Sequence, residues 1–465
     1  MGIIEGFDPF KILKAALYNG GEFADIFVED TTNTSVVCEA DKIERVISGR
    51  DRGAGVRVIS RLKTYYAYTN DLTEYGLLDV AGVVAAGVRA GESPGDMGLA
   101  RKERAPGFDI KRPPAGVPLS EKVAIVKEAN RVARAVDKRI IQVRVVYGDG
   151  VRSMAVVNSL GEWVEEERTG VLLLCSAVSK EGEVIQTGYE PVGGSSGLEI
   201  FDETPAEYVA ETAARRALLM LGARRAPGGK MSVVLSSEAG GTMIHEAVGH
   251  GLESDLALQK LSVYSDKVGE TVASPLVTVM DDGTIPYKRG SSFYDEEGTP
   301  AQKTVLIEKG VLKGYMFDRL SAMKAGGSAS STGNGRRQSY HHRPIPRMTN
   351  TIIAPGESDP AGIVRSLEKG LLVRKMGGGQ VNTVNGDFVF EVTEGYMIEK
   401  GKVGEAVRGA TLTGNGPEVL KNIDMVGTDL GFGIGTCGKD AQGVPVADAQ
   451  PTLRIPEIVV GGECI

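Results

Sequence analysis

Met231-Ser232-Val233-Val234-Leu235, the small polar stretch 236–242, and then Met243-Ile244-His245-Glu246-Ala247-Val248-Gly249-His250 decide how this chain is read. The first five residues form an apolar, β-branched run of strand length, and 236–242 reads as a turn. Residues 243–248 place apolar side chains at helical spacing. A helix entered straight from a core strand is a rigid platform for functional groups. The groups here are two imidazoles and a carboxylate. Imidazoles hold a divalent cation, and the adjacent carboxylate can take the proton of the attacking water. Of four histidines in the chain, two lie in this segment.

The spacing is unusual. Histidines at i and i+4 lie about 40° apart around an α-helix, but those at i and i+5 lie about 140° apart. Both rings reach one ion only if a one-residue bulge or an unwound last turn restores convergence. Gly249 and Gly251 flank the second histidine, and glycine tolerates such distortion. The plainer alternative is two histidines that cap carbonyls or pack in a core.

The bulk properties narrow the field. A chain of 465 residues with 42% hydrophobic content has room for two or three packed domains. The formal charge is −8, with both signs interspersed, which argues against nucleic-acid binding as the main activity. The N-terminus has no basic start and no long apolar core, so it does not read as a secretory signal. Gly6 stands where a myristoylation motif needs serine or threonine. The longest apolar stretch, 77–88, carries Asp79 and falls short of a membrane span. A soluble, cytoplasmic protein with no membrane partner is expected. Cys38, Cys175, Cys437 and Cys464 show neither a disulfide framework nor paired zinc-finger spacing, so reduced thiols are expected.

Along the chain, the expected fold class is α+β: a mixed N-terminal α+β region over 1–225, then a C-terminal domain over 229–465 dominated by antiparallel strands. Helices are expected at 10–17, 77–90, 120–137 and 203–221. Strands are expected at 24–28, 35–38, 55–59, 64–68, 140–147, 152–158 and 170–179, with a hairpin at 180–183. Pro106, Pro113, Pro114 and Pro118 mark 104–119 as a connecting segment that could subdivide the first region. Ala226-Pro227-Gly228-Gly229 is the domain boundary. Beyond it, glycine-rich hairpins are expected at 305–314 and 397–404, which share the sequence Ile-Glu-Lys-Gly. A third, at 384–387, carries the Asn385-Gly386 signal of a type I′ turn. Sixty-two glycines, roughly twice the usual frequency, fit many tight turns in antiparallel sheets.

Four stretches, in order, resemble the TldD/PmbA family, known as modulators of DNA gyrase. They are Gly241 to Glu253; Ser331 to Tyr340 followed by Arg343 to Asn350; Gly377-Gly378-Gly379-Gln380-Val381 with 388–392; and Gly433 to Asp440 with Gly443 to Val446 and Gln450 to Leu453. The resemblance spans the second half; the first half is similar only in its pattern of elements. It implies a metalloprotease of the TldD type, with His245, His250 and Cys437 holding a divalent metal, zinc by expectation, and Glu246 as general base. It also implies a dimer around a sheltered cavity, with a TldE/PmbA-type paralogue or a second copy. The residues alone leave Cys437 and Glu253 as equal claimants for the third ligand place, with Asp255 less suited. Of His341 and His342, at most one could reach the site, since neighbours on a strand face opposite ways.

The expected function is hydrolysis of short or unfolded peptides. A thiolate ligand donates more charge than imidazole and should temper Lewis acidity, which suits a slow or selective protease. A peptide could add as a strand to an open sheet edge. Arg336, Arg337 and Tyr340 are substrate-binding candidates, and a structural or subunit-contact loop is the equal alternative. A rival reading is a metal-stabilised scaffold or peptide-binding protein without catalysis. Phosphate binding by 193–197 or 377–379 is poorly supported, since neither loop ends in Gly-Lys-Ser/Thr.

Overall fold

Alternating apolar residues in the first half build one large sheet. The computed structural model describes residues 3–463 except 5, 89–99, 102 and 103. Strands Phe23–Glu39 and Lys42–Ser60 pair antiparallel along their length through a turn whose central residues, Ala40 and Asp41, have φ of 48° and 64°. Lys63–Thr69 extends the sheet on one side. Ile140–Asn158, Glu162–Glu181 and Val184–Gly194 extend it on the other.

The sequence suggests separate strands at 24–28 and 35–38, and at 140–147 and 152–158. Each pair is one continuous strand, Phe23–Glu39 and Ile140–Asn158. The polar stretches between the apolar ends keep their ladder partners, from Asp30↔Ser153 to Thr34↔Asp149. Periodicity of burial sees only the apolar ends.

The two faces of this sheet have different jobs. Ile26, Val28, Val36 and Cys38 point to one side, under helices Pro9–Ala16, Glu74–Gly87, Leu119–Ala135 and Ala206–Gly222. Strand alternation turns Phe27 to the other side, where it packs with Met154, Val156, Val164 and Tyr340 of the second half. The helix expected at 203–221 is interrupted. Ile200–Glu203 is a separate turn, and Pro205 caps Ala206–Gly222. A residue preceding proline is disfavoured in helical conformation, which breaks the run at Thr204. Residues 89–90 of the second expected helix, and Cys464, lie outside the described residues.

In the second half, Lys369–Val381 pairs in parallel with Gly229–Leu235 and antiparallel with Asp387–Glu399. Asp387–Glu399 pairs with Ala410–Asn415, that with Leu453–Gly461, and that with Gly229–Leu235, so the five strands close a ring. A second sheet runs in the order 311–312, 303–308, 279–282, 350–353, 442–450, 431–439. It is antiparallel except where Asn350–Ile353 meets Gln442–Gln450. The architecture is α+β. Among the described residues, no helix is long and apolar enough to cross a membrane.

Both Ile-Glu-Lys-Gly stretches form the same turn: Lys309 and Gly310 have φ of 46° and 83°, Lys400 and Gly401 52° and 70°. The Asn385-Gly386 turn is not a two-residue type I′ turn. Pairing stops at Val381↔Phe388, and of Asn385 and Gly386 only the glycine has positive φ, 85°. Asn382 and Asn385 instead accept the backbone N–H groups of Val384 and Asp387, which stabilises a longer loop.

Candidate metal centre

Strand Gly229–Leu235 delivers the chain into the site. Ser236 caps a short turn at Ser237–Ala239, and Gly240 follows at φ 69°. The next residues wind in three ways: Thr242–Ile244 is α-helical, His245–Gly249 is a π turn and His250–Leu252 is a 3₁₀ turn. The N–H of His250 donates to the carbonyl of His245, five residues back. That extra residue in the turn is the distortion the i, i+5 spacing required. The two rings sit with centroids 5.2 Å apart and planes at 89°.

The flanking glycines serve this winding differently from the expectation. Gly249 has helical φ and ψ, −53° and −53°. What forbids a side chain there is space: a Cβ would lie 2.0 Å from Met348 Sδ. At Gly251 a Cβ would meet the Tyr264 ring at 2.8 Å.

Cys437 arrives on a strand, Gly431–Lys439, rather than the glycine loop suggested by the sequence. Its residues 431, 433, 437 and 439 share one face, and that face lies along 237–255. A Cβ at Gly431 would be 2.0 Å from Ser237 O, and one at Gly240 would be 2.9 Å from Gly433 Cα. Further along, Cys437 Sγ lies 3.5 Å from His250 Nε2, and Lys439 Nζ lies 3.1 Å from Glu253. Glycines let the strand approach closely, and the two longer side chains then reach across. His245, His250 and Cys437 offer ligand atoms that all lie within 4.8 Å of one another.

The electrostatics suit a cation. Burial pushes the Cys437 thiol up, but hydrogen bonds and charge from His245 and His250 outweigh it and bring its pKa down to about 5. Burial disfavours charge on His245 and His250, yet both are raised; the sulfur acts on both, and Glu253 also acts on His250. Burial raises Glu246 despite the two neighbouring imidazoles. His245 Nδ1 is buried and has no hydrogen-bond partner among the described residues, so the ring nitrogen that faces the sulfur is the other one, Nε2. One thiolate and two imidazoles are a donor set that favours zinc.

Other candidates fall outside this trio. Glu253 is fully buried and accepts from His250 Nδ1 at 3.0 Å. Asp255 pairs with Lys439 at 2.7 Å. His341 packs on Tyr340 and Tyr68, with centroids 4.0 and 4.9 Å away, and His342 Nδ1 lies 3.1 Å from Ser339 Oγ. Arg336, Arg337 and Tyr340 are buried. Arg336 donates to Pro445 O at 2.9 Å and Arg337 to Glu296 O at 3.0 Å, with its guanidinium 4.4 Å from the Phe27 ring. Tyr340 donates to Asp51 at 3.0 Å. Arg337 and Tyr340 thus tie the second half to the first sheet, while Arg336 bonds within the second half; these contacts fit the structural-loop alternative.

Sequence reasoning missed Asp448, Arg347 and Lys439. Buried Asp448 accepts the Gly241 N–H at 2.8 Å at the entry to the helical segment. Fully buried Arg347 donates to the carbonyls of Cys437 and Gln442. Only Lys439 left a signal, two residues from Cys437 and therefore on its face once 431–439 is read as a strand. Beside the helix entry lies a cavity of about 870 Å³, bordered by Thr242, Gly433, Asp448, Phe432, Lys375 and Tyr189.

Residues 24–90, 112–221 and 228–462 match the three family models described as PmbA/TldA metallopeptidase domain 1, central domain and C-terminal domain. A protein of Haemophilus influenzae named metalloprotease TldD homolog is 39% identical over 95% of this chain and 93% of its own length. A Saccharolobus solfataricus protein named zinc metalloprotease TldD homolog is 26% identical over 97% of this chain and 99% of its own. The crystal structure of TldE from Thermococcus kodakarensis shares the fold, with a TM-score of 0.75 at 18% identity over 97% of this chain and 99% of that one. With all three family models matched in order and a close relative aligned along nearly its whole length, the chain belongs to the PmbA/TldD metallopeptidase family.

Proposed function

We propose that this chain is a metal-dependent peptidase of short or unfolded peptides, with His245, His250 and Cys437 as ligands to a divalent cation and Glu246 as general base. The observation that carries it is the convergence of three ligand atoms within 4.8 Å beside a half-buried carboxylate. The name of the Saccharolobus relative supports zinc as the ion. A cation held by this trio supplies Lewis acidity, which acidifies water and polarises a peptide carbonyl. The chain's own residues do the rest. His245 and His250 converge through the π turn, and Arg347 fixes the Cys437 backbone. Glu246, its pKa raised by burial, takes the proton of the attacking water and returns it to the leaving amine. The cavity bordered by Thr242 and Asp448 offers room for peptide beside the helix entry.

We assign the protein to the cytoplasm, divide it at 226–229, and infer a dimer with a TldE/PmbA-type paralogue or a second copy. The likeness to the TldE fold supports that pairing, and native mass spectrometry with and without the paralogue tests it. For catalysis the test is Glu246→Gln, assayed on unfolded casein with metal content measured in parallel. Retained metal and a cleavage rate lowered by about 10²–10⁴-fold are expected. Undiminished turnover would remove Glu246 from the mechanism. If chelation unfolds a protein that never cleaved peptide, the metal-stabilised scaffold is the correct reading.

A further inference from the structure

Behind His250, four side chains close a loop of contacts. His250 Nε2 faces Cys437 Sγ at 3.5 Å, and its Nδ1 donates to Glu253 Oε2 at 3.0 Å. Glu253 Oε2 in turn takes Lys439 Nζ at 3.1 Å, and Lys439 sits two residues from Cys437 on the same strand. Glu253 is completely buried, and the Lys439 side chain is only 10% exposed. Lys439 Nζ also donates to Asp255 Oδ1 at 2.7 Å and to Pro346 O at 3.2 Å. Arg347 Nε lies 3.8 Å from Glu253 Oε1, too far for a hydrogen bond.

We propose that Glu253 and Lys439 are positioning residues for the candidate metal centre: Lys439 fixes the Glu253 carboxylate, and that carboxylate fixes the ring orientation and tautomer of His250. The proposal rests on the reading of His245, His250 and Cys437 as ligands. A buried carboxylate costs several kcal/mol unless it is paired and hydrogen-bonded. His250 and Lys439 are the partners that hold it, both through Oε2. A proton held at Nδ1 by the carboxylate leaves the Nε2 lone pair directed at the sulfur, where a cation would be gripped. Because Lys439 and Cys437 share a strand face, the strand that supplies the thiolate also braces the opposite edge of the imidazole. A displacement of that strand therefore moves both supports of His250 together.

The experiment measures zinc affinity by chelator competition and the absorption of the cobalt-loaded full-length protein. Glu253→Gln should weaken zinc by about 10–100-fold and shift the cobalt ligand-field bands. Lys439→Met, at a more accessible position, should weaken it in the same direction, and Lys439→Arg should restore affinity to within about threefold of wild type by keeping the charge. The double variant Glu253→Gln/Lys439→Met should bind no more weakly than Glu253→Gln alone, within about twofold, because one acts through the other. Wild-type affinity in Glu253→Gln, or effects that multiply in the double variant, would overturn the proposal. Failure of the underlying ligand assignment looks different: the sulfur-to-cobalt charge-transfer band would then survive Cys437→Ser. If that band depends on Cys437 while Glu253→Gln binds as wild type, only the positioning role is lost.

Discussion

Gly241→Ala isolates the packing that aims the site. Gly241 has φ −97° and ψ 20°, a conformation open to alanine, so the change introduces no backbone strain. It introduces a methyl group 2.4 Å from Ala449 N and 2.8 Å from Asp448 C, both backbone atoms of strand Gln442–Gln450. Ordinary contact begins at 3.4 Å, so the two segments must separate by 3.4 − 2.4 = 1.0 Å. Backbone cannot rotate away as a side-chain tip can. Overpacking of this kind costs about 1–3 kcal/mol, or a Tm decrease of roughly 2–12 °C for a domain of this size. The local consequence is sharper. His245 N–H donates to Gly241 O at 2.9 Å, so the helical segment moves with residue 241. Strand Gln442–Gln450 carries the partner of Cys437, Val444. The imidazoles are thus pushed away from the sulfur, and misplacement by about 1 Å can cost on the order of 10²-fold in rate. Calorimetry of the metal-free protein, zinc affinity and peptide cleavage should all fall together. Gly438→Ala is the control, since a Cβ there meets nothing within 4 Å. A Gly241→Ala protein with wild-type Tm and zinc affinity would refute the idea that backbone contact sets the site's geometry.

Three further perturbations probe other parts of the molecule. In metal-free protein Cys437 should titrate with a pKa of about 5, so the ultraviolet thiolate absorbance lost in Cys437→Ser should appear well below neutral pH; a midpoint near the ordinary thiol value would contradict the imidazole–sulfur contacts. Arg57 lies buried between Asp25 and Glu297, 2.6 Å from the latter, and joins the first sheet to the second half. Arg57→Met should cost about 3–5 kcal/mol in urea unfolding by leaving two carboxylates buried without their cation, and a change under about 1 kcal/mol would show the network to be dispensable. Burial and the Glu297 charge raise the Asp318 carboxyl to about 7. The folded state therefore keeps a proton that the unfolded chain releases, and stability falls as pH rises from about 4 to about 7. Asp318→Asn, which still suits the helix cap, should gain on wild type over that window; a constant difference between the two proteins would exclude the titration.

The two histidine candidates were legible in the sequence because their chemistry is local. Two histidines flanking a Glu-Ala-Val-Gly stretch announce both a site and a spacing problem, and the π turn is the answer that the spacing demanded. Cys437 was separated from Glu253 only through resemblance, since nothing in its neighbourhood states that it meets residues almost two hundred positions earlier. The glycines show where local reading stops. Their abundance predicted turns, and Lys309-Gly310 and Lys400-Gly401 are turns of the expected kind. Yet Gly241, Gly249, Gly431 and Gly433 are glycine because other backbone or side-chain atoms occupy the space of a Cβ, which is a property of tertiary contact. The same limit explains Arg336, Arg337 and Tyr340. As residue types they suit peptide recognition, but a guanidinium or phenol serves an interface between sheets equally well, and only burial distinguishes the two uses. Glu253 makes the point most directly. Its spacing from His250 allowed a ligand, and a carboxylate three residues on does reach that histidine. What it reaches is Nδ1, while Nε2 looks towards Cys437, and no feature of the sequence distinguishes one nitrogen from the other. The placement of Lys439, set by the strand register of 431–439 against 442–450, is what turns that carboxylate from a rival ligand into a brace.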